Sequence, residues 1–181
     1  MWVTGTGMPG IGESIFTLGG GWMALVARRF ARAYEGGVEG KARVTVYEAA
    51  SGEKELKLGG SPAWRNNNPG NLRPSRFHSE QIGEAWGFAV FDDAEAGLRA
   101  MEALLKRSGY ARLRLQDAIF RYAPPSDSNP SHEYATFVSA RSGVGLDEFL
   151  GKIGDARLMA VVQAMVVFER SLAGKIRWET T

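Results

Sequence analysis

The sequence contains no cysteine and only two histidines, His78 and His132, among its 181 residues. Without cysteine the chain has no disulfide framework, no thiolate zinc site and no cysteine nucleophile. Two histidines are too few for a multi-histidine zinc centre, and a serine–histidine arrangement would depend on one of them. We therefore expect any catalysis to rest on carboxylates, without a metal ion or other cofactor.

Long apolar runs are also missing, since no segment approaches the roughly 18 to 20 apolar residues of a transmembrane helix. The early apolar run "MALVA" is too short for the hydrophobic region of a secretory signal, and the first basic residue is Arg28. We therefore expect no membrane insertion. A target outside the cytoplasm would require an export route other than a signal peptide.

The charge is nearly balanced, with 22 Lys and Arg against 20 Asp and Glu, although the pI is about 9.0. This mild basic bias is compatible with polyanionic partners such as nucleic acid or cell wall. A nucleic-acid surface would require a basic stripe with interleaved aromatic residues, which the sequence lacks, so we expect no nucleic-acid partner. Hydrophobic and charged fractions of 44% and 23% are typical of a soluble domain.

The chain divides into a glycine-rich, nearly uncharged segment at 1–21, predicted to be a linker or arm, and a domain at 22–181. Within the domain, "WMALVARRFARAY" at 22–34 predicts a short amphipathic helix. Two alternating runs at 43–58 flank "ASGEK" and predict a β-hairpin, and "GFAVF" at 87–91 predicts a short strand.

The second half of the chain is predicted to be helical. "DDAEAGLRAMEALLKRSGY" begins with an Asp cap and repeats apolar residues at helical spacing. "LQDAIFRYA" is stopped by Pro124, and 130–143 runs from a proline to a terminal glycine. The segment 155–173 is apolar almost all round, which predicts a central buried helix.

The stretch "WRNNNPGNLR" at 64–73 places three neutral amides before a Pro-Gly-Asn sequence. Asparagine tolerates turns, and Pro69-Gly70 predicts a type II turn with Gly70 at positive φ. Two interpretations stay open. The amides either tie down an irregular loop, or one or two of them point into a cleft and bind a hydroxyl- and acetamide-rich ligand such as carbohydrate.

Together with "GFAVFDDAEAGLRAMEALL", "AIFRYAPPSDSN" and "YATFVSARSGV", this stretch resembles lysozyme-like peptidoglycan-degrading domains of phage particles and type VI secretion effectors. The resemblance covers roughly residues 44–173. It implies an α+β, mainly α, lysozyme-like fold with a small β-lobe, a helical lobe and a cleft between them. The implied substrate is the glycan strand of peptidoglycan, reached in the periplasm of a target cell by type VI delivery or in a phage particle, with a cognate immunity protein as a further partner.

Glycosidic cleavage requires a protonated carboxylic acid, usually with a second carboxylate. The candidates near the asparagine loop are Glu48, Glu53, Glu55 and Glu84. Glu55 is the preferred general acid because the resembling domains also have a Glu shortly before a Gly-Gly pair. Glu48 is the second candidate, since it stands 18 residues before Asn66 at a spacing close to that of bacterial cell-wall glucosaminidases. The choice between hydrolysis and transglycosylation stays open.

Substrate contacts are expected from aromatic, amide and cationic side chains around the same loop. Trp64 offers an apolar face for a sugar ring, with Trp86 as a further aromatic, and Arg73 and Arg65 are candidates for carboxylates of the wall. The full expected binding set is Trp64, Asn66, Asn67, Asn68, Asn71, Arg73 and Tyr122, with Asn129 and Tyr134 on the helical side. Asp92 and Asp93 are interpreted as a helix cap and Glu169 as structural. A non-catalytic wall-binding or virion structural module is the alternative function.

Overall fold

The structure is a computed structural model that describes residues 29–180. Within that range the chain forms one six-stranded sheet in the order β5-β4-β1-β2-β3-β6. The strands are β1 (Arg32–Glu39), β2 (Ala42–Glu48), β3 (Lys54–Leu58), β4 (Gln81–Ala85), β5 (Phe88–Phe91) and β6 (Lys175–Glu179).

Six α-helices accompany the sheet in the described part of the chain. They are α1 (Pro62–Arg65), α2 (Ala94–Lys106), α3 (Ser108–Ala111), α4 (Leu115–Tyr122), α5 (Ser131–Ser142) and α6 (Asp155–Glu169), with short 3-10 helices at Pro125–Asp127 and Leu150–Lys152. No helix between residues 29 and 180 is both long enough and apolar enough to cross a bilayer.

The sheet is mixed because β1 and β4 meet in parallel at one residue pair, Ala33 opposite Gly83, while every other strand pair is antiparallel. Gly83 is needed for this approach, since a Cβ there would lie 1.8 Å from the carbonyl oxygen of Ala33. The β4–β5 hairpin is thereby attached to the edge of the β1–β2–β3 meander.

The two faces of the meander differ in polarity. Val44, Val46 and Leu56 form a small apolar cluster on one face. The other face carries buried polar side chains on adjacent strands, because Thr45 pairs with Lys57 and Tyr47 pairs with Glu55 in the β2–β3 register. This polar face contacts the asparagine loop.

The main hydrophobic core lies among the helices and β5. Its largest fully buried members include Phe91, Met101, Leu115, Ile119 and Met165. Every long helix contributes to this cluster, and Leu72 joins it from the segment that follows the asparagine loop. The core therefore holds the end of that loop against α2, α4, α5 and α6.

Several local predictions are confirmed. The 43–58 hairpin forms as β2 and β3, the 87–91 strand as β5, and the predicted helices as α2, α4, α5 and α6. Asp93 caps α2 by accepting a hydrogen bond from the backbone N–H of Ala96 at 2.7 Å. Gly143, at φ +70°, ends α5 in the left-handed conformation.

The predicted fold class is wrong. Helices account for 41% of the structure and strands for 24%, so the protein is α/β, with a six-stranded sheet in place of the small β-lobe of a mainly α, lysozyme-like fold. The prediction missed β1, β4 and β6. In the predicted 22–34 helix, residues 32–34 belong to β1 and residues 29–31 are not helical, whereas residues 22–28 and the predicted 1–21 linker lie outside the described residues.

The last helix also differs from its prediction. It ends at Glu169 instead of near 173, with Arg170 in the left-handed region at φ +48°. One side of α6 is buried through Leu158, Val161, Val162, Ala164 and Met165, but Val167 is 44% exposed. It is therefore a core-facing helix with one open side.

Candidate functional site

Two amides of the asparagine tract are used as internal scaffolding. Asn66 and Asn68 are fully buried. Asn66 accepts from the Thr45 hydroxyl at 2.8 Å and donates to the Ala85 carbonyl at 3.1 Å. Asn68 accepts from the Leu72 N–H at 2.8 Å and donates to the Ala89 carbonyl at 2.9 Å. Neither side chain is accessible to a ligand, which departs from their predicted role as sugar contacts.

Asn67 links the polar face of the sheet to β5. Its amide donates to the carbonyls of Phe91 and Asp92, and its oxygen accepts from Lys57 Nζ at 2.5 Å. Burial lowers the pKa of the Lys57 ammonium, and the nearby Glu55 carboxylate opposes that shift. Asn67 adopts φ +49°, a conformation that asparagine tolerates better than most residues.

The Pro69-Gly70 turn differs from the predicted type II geometry. Asn71 N–H donates to the Asn68 carbonyl at 2.9 Å and closes the turn, but positive φ falls on Asn71, at +50°, and Gly70 lies outside the positive-φ region. Gly70 is needed for space, because a Cβ there would lie 2.7 Å from both Met101 Sδ and the Tyr122 hydroxyl. The turn therefore directs the Asn71 side chain toward the helices.

Asn71 contacts Glu169, an acid predicted from the sequence to be structural. Its Nδ2 donates to Glu169 Oε2 at 2.9 Å, and the Tyr134 hydroxyl donates to Glu169 Oε1 at 2.9 Å. The Asn71 Oδ1 atom is buried without a hydrogen-bond partner among residues 29–180. One carboxyl group thus joins the last turn of α6 to the asparagine loop and to α5.

Glu169 has the electrostatics expected of a general acid. Burial raises its pKa, and the hydrogen bonds from Asn71 and Tyr134 oppose that shift without cancelling it. The position at the C-terminus of α6 also disfavours negative charge. The side chain remains partly exposed, so solvent or a ligand can reach it. A half-buried carboxyl with a raised pKa is a recognised feature of glycosidase acids.

Two tyrosines surround the same carboxyl group. Tyr122 donates to the Gly70 carbonyl, and Tyr134 stacks on Phe168 with ring centroids 4.0 Å apart. Burial and the Glu169 charge both raise the pKa of each phenol, so both stay protonated as hydrogen-bond donors. The predicted residues Asn71, Tyr122 and Tyr134 therefore gather at Glu169. Asn129, by contrast, donates to the Pro124 carbonyl.

The preferred acid, Glu55, lies on the polar face of the sheet. It is 4% exposed, and its carboxylate is 3.3 Å from the guanidinium of Arg29. Arg29 also lies 4.8 Å from the ring of Trp178. Asn71 and Tyr134 donate to Glu169, whereas Glu55 forms an ion pair with Arg29.

Glu48, the second candidate, has the opposite electrostatics to a general acid. Hydrogen bonds from Arg32 and Tyr34 lower its pKa, and Arg32 approaches within 2.7 Å. A carboxyl stabilised as the anion is a poor proton donor near neutral pH. Glu53 and Glu84 are exposed.

The predicted aromatic contacts are mainly structural. Trp86 occupies the β4–β5 turn at φ +58°, followed by Gly87 at +78°, as a two-residue hairpin requires. Its backbone N–H donates to Glu35 and its indole N–H to the Val44 carbonyl. Trp64 is half-buried, with the Lys57 ammonium 5.2 Å from its ring centroid.

The two predicted arginines lie in different environments. Arg65 is 2% exposed and donates to the carbonyls of Gly59 and Gly60. Arg73 is exposed and donates to the Gly87 carbonyl at 3.0 Å, which leaves it accessible to an anionic group. Only Arg73 matches the expected role of a surface cation.

The structure describes two surface depressions between residues 29 and 180. One shallow depression is lined by Pro74, Ser75, Arg76, His78, Gln81 and Glu84, and another by Ser108, Ala111, Arg112, Phe149, Gly151 and Lys152. Neither includes Glu55 or Glu169. Between residues 29 and 180 no group of three or more His, Asp or Glu side chains is arranged to hold a metal ion. The candidate site is defined by the chemistry of Glu169.

No family model matches the chain, and no curated protein matches it. The site is therefore interpreted from its own chemistry.

Proposed function

We propose that the protein cleaves the glycan strand of peptidoglycan, with Glu169 as the general acid. The observation that supports this role is the half-buried Glu169 carboxyl, whose raised pKa keeps part of it protonated at higher pH than an ordinary glutamate. Proton donation to a glycosidic oxygen requires such a group. The sequence resemblance of the asparagine loop to peptidoglycan-degrading domains supports the choice of substrate.

The neighbours of Glu169 have complementary tasks under this proposal. Asn71 and Tyr134 each donate to one carboxyl oxygen, which fixes the direction of the group. They also stabilise the anion that remains after proton transfer. Asn66, Asn67 and Asn68 hold the loop through main-chain bonds and are not assigned to the substrate. The substrate would lie in the periplasm of a target cell, and a cognate immunity protein would protect the wall of the producing cell.

The test is incubation of the purified chain with peptidoglycan, followed by mass spectrometry of the released fragments. We expect glycan fragments from the wild type and a loss of roughly 10²- to 10⁴-fold in rate for Glu169→Gln, the usual contribution of a general acid. Glu55→Gln is the matched control and should retain activity. Reducing or anhydro ends on the products would separate hydrolysis from transglycosylation.

Each contrary result has a defined meaning. Intact glycan strands, or cuts confined to the peptide stems, would reject the glycosidase. Loss of activity in Glu55→Gln but not in Glu169→Gln would identify Glu55, on the sheet, as the general acid instead. Circular dichroism of both variants is needed, because both carboxyl groups are at least partly buried.

A second candidate function is a non-catalytic wall-binding module. It is favoured by one observation: among residues 29–180, the hydrogen-bonding partners of Glu169 are an amide and a phenol, with no second carboxylate beside them. In that case wild type and Glu169→Gln would sediment equally with insoluble peptidoglycan, and neither would release fragments.

A further inference from the structure

Strand β6 has an edge that no other described strand covers. It is the last strand in the sheet order and pairs only with β3 within residues 29–180. All five of its residues, Lys175–Glu179, are exposed. Unpaired N–H and C=O groups along such an edge are a template for another strand.

The two sides of β6 carry different chemistry. Ile176 and Trp178 lie on the side of Lys57 and Glu55, as their register with β3 shows. They are 53% and 45% exposed. Large apolar side chains at this exposure on an edge strand are typical of a surface that a partner covers.

The opposite side of β6 carries charges that are already balanced. Arg177 contacts Glu39 at 2.7 Å and Glu179 at 3.0 Å. Lys175 stands at the other end of the same row. Strand β6 itself therefore presents two cations, Lys175 and Arg177, and one carboxylate, Glu179, while Glu39 of β1 provides a second carboxylate for Arg177.

We propose that β6 pairs antiparallel with β6 of a second copy of this chain, centred on Arg177. In this register Lys175 faces Glu179 of the second copy at both ends of the strand pair, and Ile176 faces Trp178. Opposite charges and apolar pairs across adjacent strands stabilise a sheet. The two Arg177 residues meet at the symmetry axis, but each is already neutralised by its own Glu39.

The dimer is expected to be weak. Stable interfaces bury roughly 1,200–2,000 Å² in total, and one pair of five-residue strands covers less than that. Association should therefore depend on protein concentration. The surface is separate from Glu169, so dimerisation and glycan cleavage can fail independently.

Sedimentation velocity of the full chain over a concentration series tests the proposal. We expect a monomer–dimer equilibrium that both Lys175→Glu and Glu179→Lys shift to monomer, because each places like charges at both ends of the strand pair. The exposed Lys152→Glu makes the same charge change on the helical side and should keep the dimer. Circular dichroism confirms that each variant is folded.

An equimolar mixture of Lys175→Glu and Glu179→Lys is the decisive sample. The acidic side chain introduced at position 175 then lies opposite the basic one introduced at 179, so a one-to-one heterodimer should form from two monomeric variants. A wild type that is monomeric at every concentration, a dimer that survives both single changes, or a mixture that stays monomeric would each overturn the proposal.

Discussion

Asn71 Nδ2 lies 2.9 Å from Glu169 Oε2, which joins residues that are 98 positions apart in the chain. The amide belongs to a turn fixed by buried asparagines, and the acid belongs to the last turn of α6. The loop that stands out in the sequence thus acts as a scaffold for one amide, and that amide contacts the acid with the raised pKa.

The pKa of Glu169 should rise further when a donor is removed. Asn71 and Tyr134 both lower it, so Asn71→Gly and Tyr134→Phe should each move the titration to higher pH. Glycine is chosen at 71 because it also adopts positive φ. Carboxyl chemical shifts followed by NMR across pH measure the change. Asn129→Ala is the control and should not change the pKa of Glu169. An unchanged Glu169 pKa in both Asn71→Gly and Tyr134→Phe would contradict the assigned contacts.

The raised pKa of Glu169 predicts that the stability of the protein depends on pH. The pKa of Glu169 is raised above its ordinary value of 4.5, so the folded state binds more protons than the unfolded state between those two pKa values. The contribution of Glu169 to the free energy of unfolding is full below pH 4.5 and is lost as pH rises through the folded-state pKa. Urea denaturation at several pH values should show this decline in the wild type. In Glu169→Gln the free energy of unfolding should decline less with rising pH. An equal decline in the wild type and the variant would contradict the prediction.

Asn68→Ala should destabilise the fold. The change leaves the Leu72 N–H and the Ala89 carbonyl without their side-chain partner in a fully buried position. Each unsatisfied buried group costs about 1–3 kcal/mol, so the free energy of unfolding should fall by about 2–6 kcal/mol. Urea denaturation measures the loss. Asn129→Ala removes a single hydrogen bond in a half-buried site and should cost less.

Gly70→Ala tests the close packing of the turn. The new Cβ would lie 2.7 Å from Met101 Sδ and from the Tyr122 hydroxyl, although the backbone conformation suits alanine. Crowding of this kind costs about 1–3 kcal/mol. The penalty should shrink in a Tyr122→Phe background, because the phenylalanine removes one of the two crowding atoms. Equal losses of stability in both backgrounds would show that the Tyr122 hydroxyl does not crowd the new side chain.

The exposed pair of Glu148 and Arg157 offers a test at the helical end. Hydrogen bonds from Arg157 and from the Gly145 N–H lower the pKa of Glu148 to about 2. Its contribution to stability is therefore present above pH 4.5 and is lost as pH falls through about 2. Arg157→Gln should move the Glu148 titration toward 4.5, as NMR would show. A pKa that stays at about 2 would assign the whole shift to Gly145.

Local patterns predicted the helices better than the sheet. The cap at Asp93 and the stops at Pro124 and Gly143 are properties of neighbouring residues, so they are visible in the sequence. Strands β1 and β4 pair with the strands that follow them, β2 and β5, but their own residues carry a weaker alternation signal, and β6 depends on a partner far along the chain. β6, "KIRWE", alternates polar and apolar residues as a strand does, but its pairing with β3 spans more than 110 positions.

The same distinction applies to the site. The amide tract correctly marked an unusual loop, whereas the choice of Glu55 came from its proximity in the sequence and stays a prediction. Glu169 follows an apolar run in α6, where an acid facing the core side needs a partner. That signal was present in the sequence, but its partner Asn71 could be found only from the folded chain.

Glu169 follows Asn71 by 98 positions, so the acid is synthesised after the loop that orients it. A chain that has not yet completed α6 contains the whole asparagine loop but lacks the carboxyl group that the loop orients. Closing a loop of nearly a hundred residues is also a late and slow event in folding. The raised pKa of Glu169 therefore requires α6 to be folded against the asparagine loop, and its titration reports whether that contact has formed.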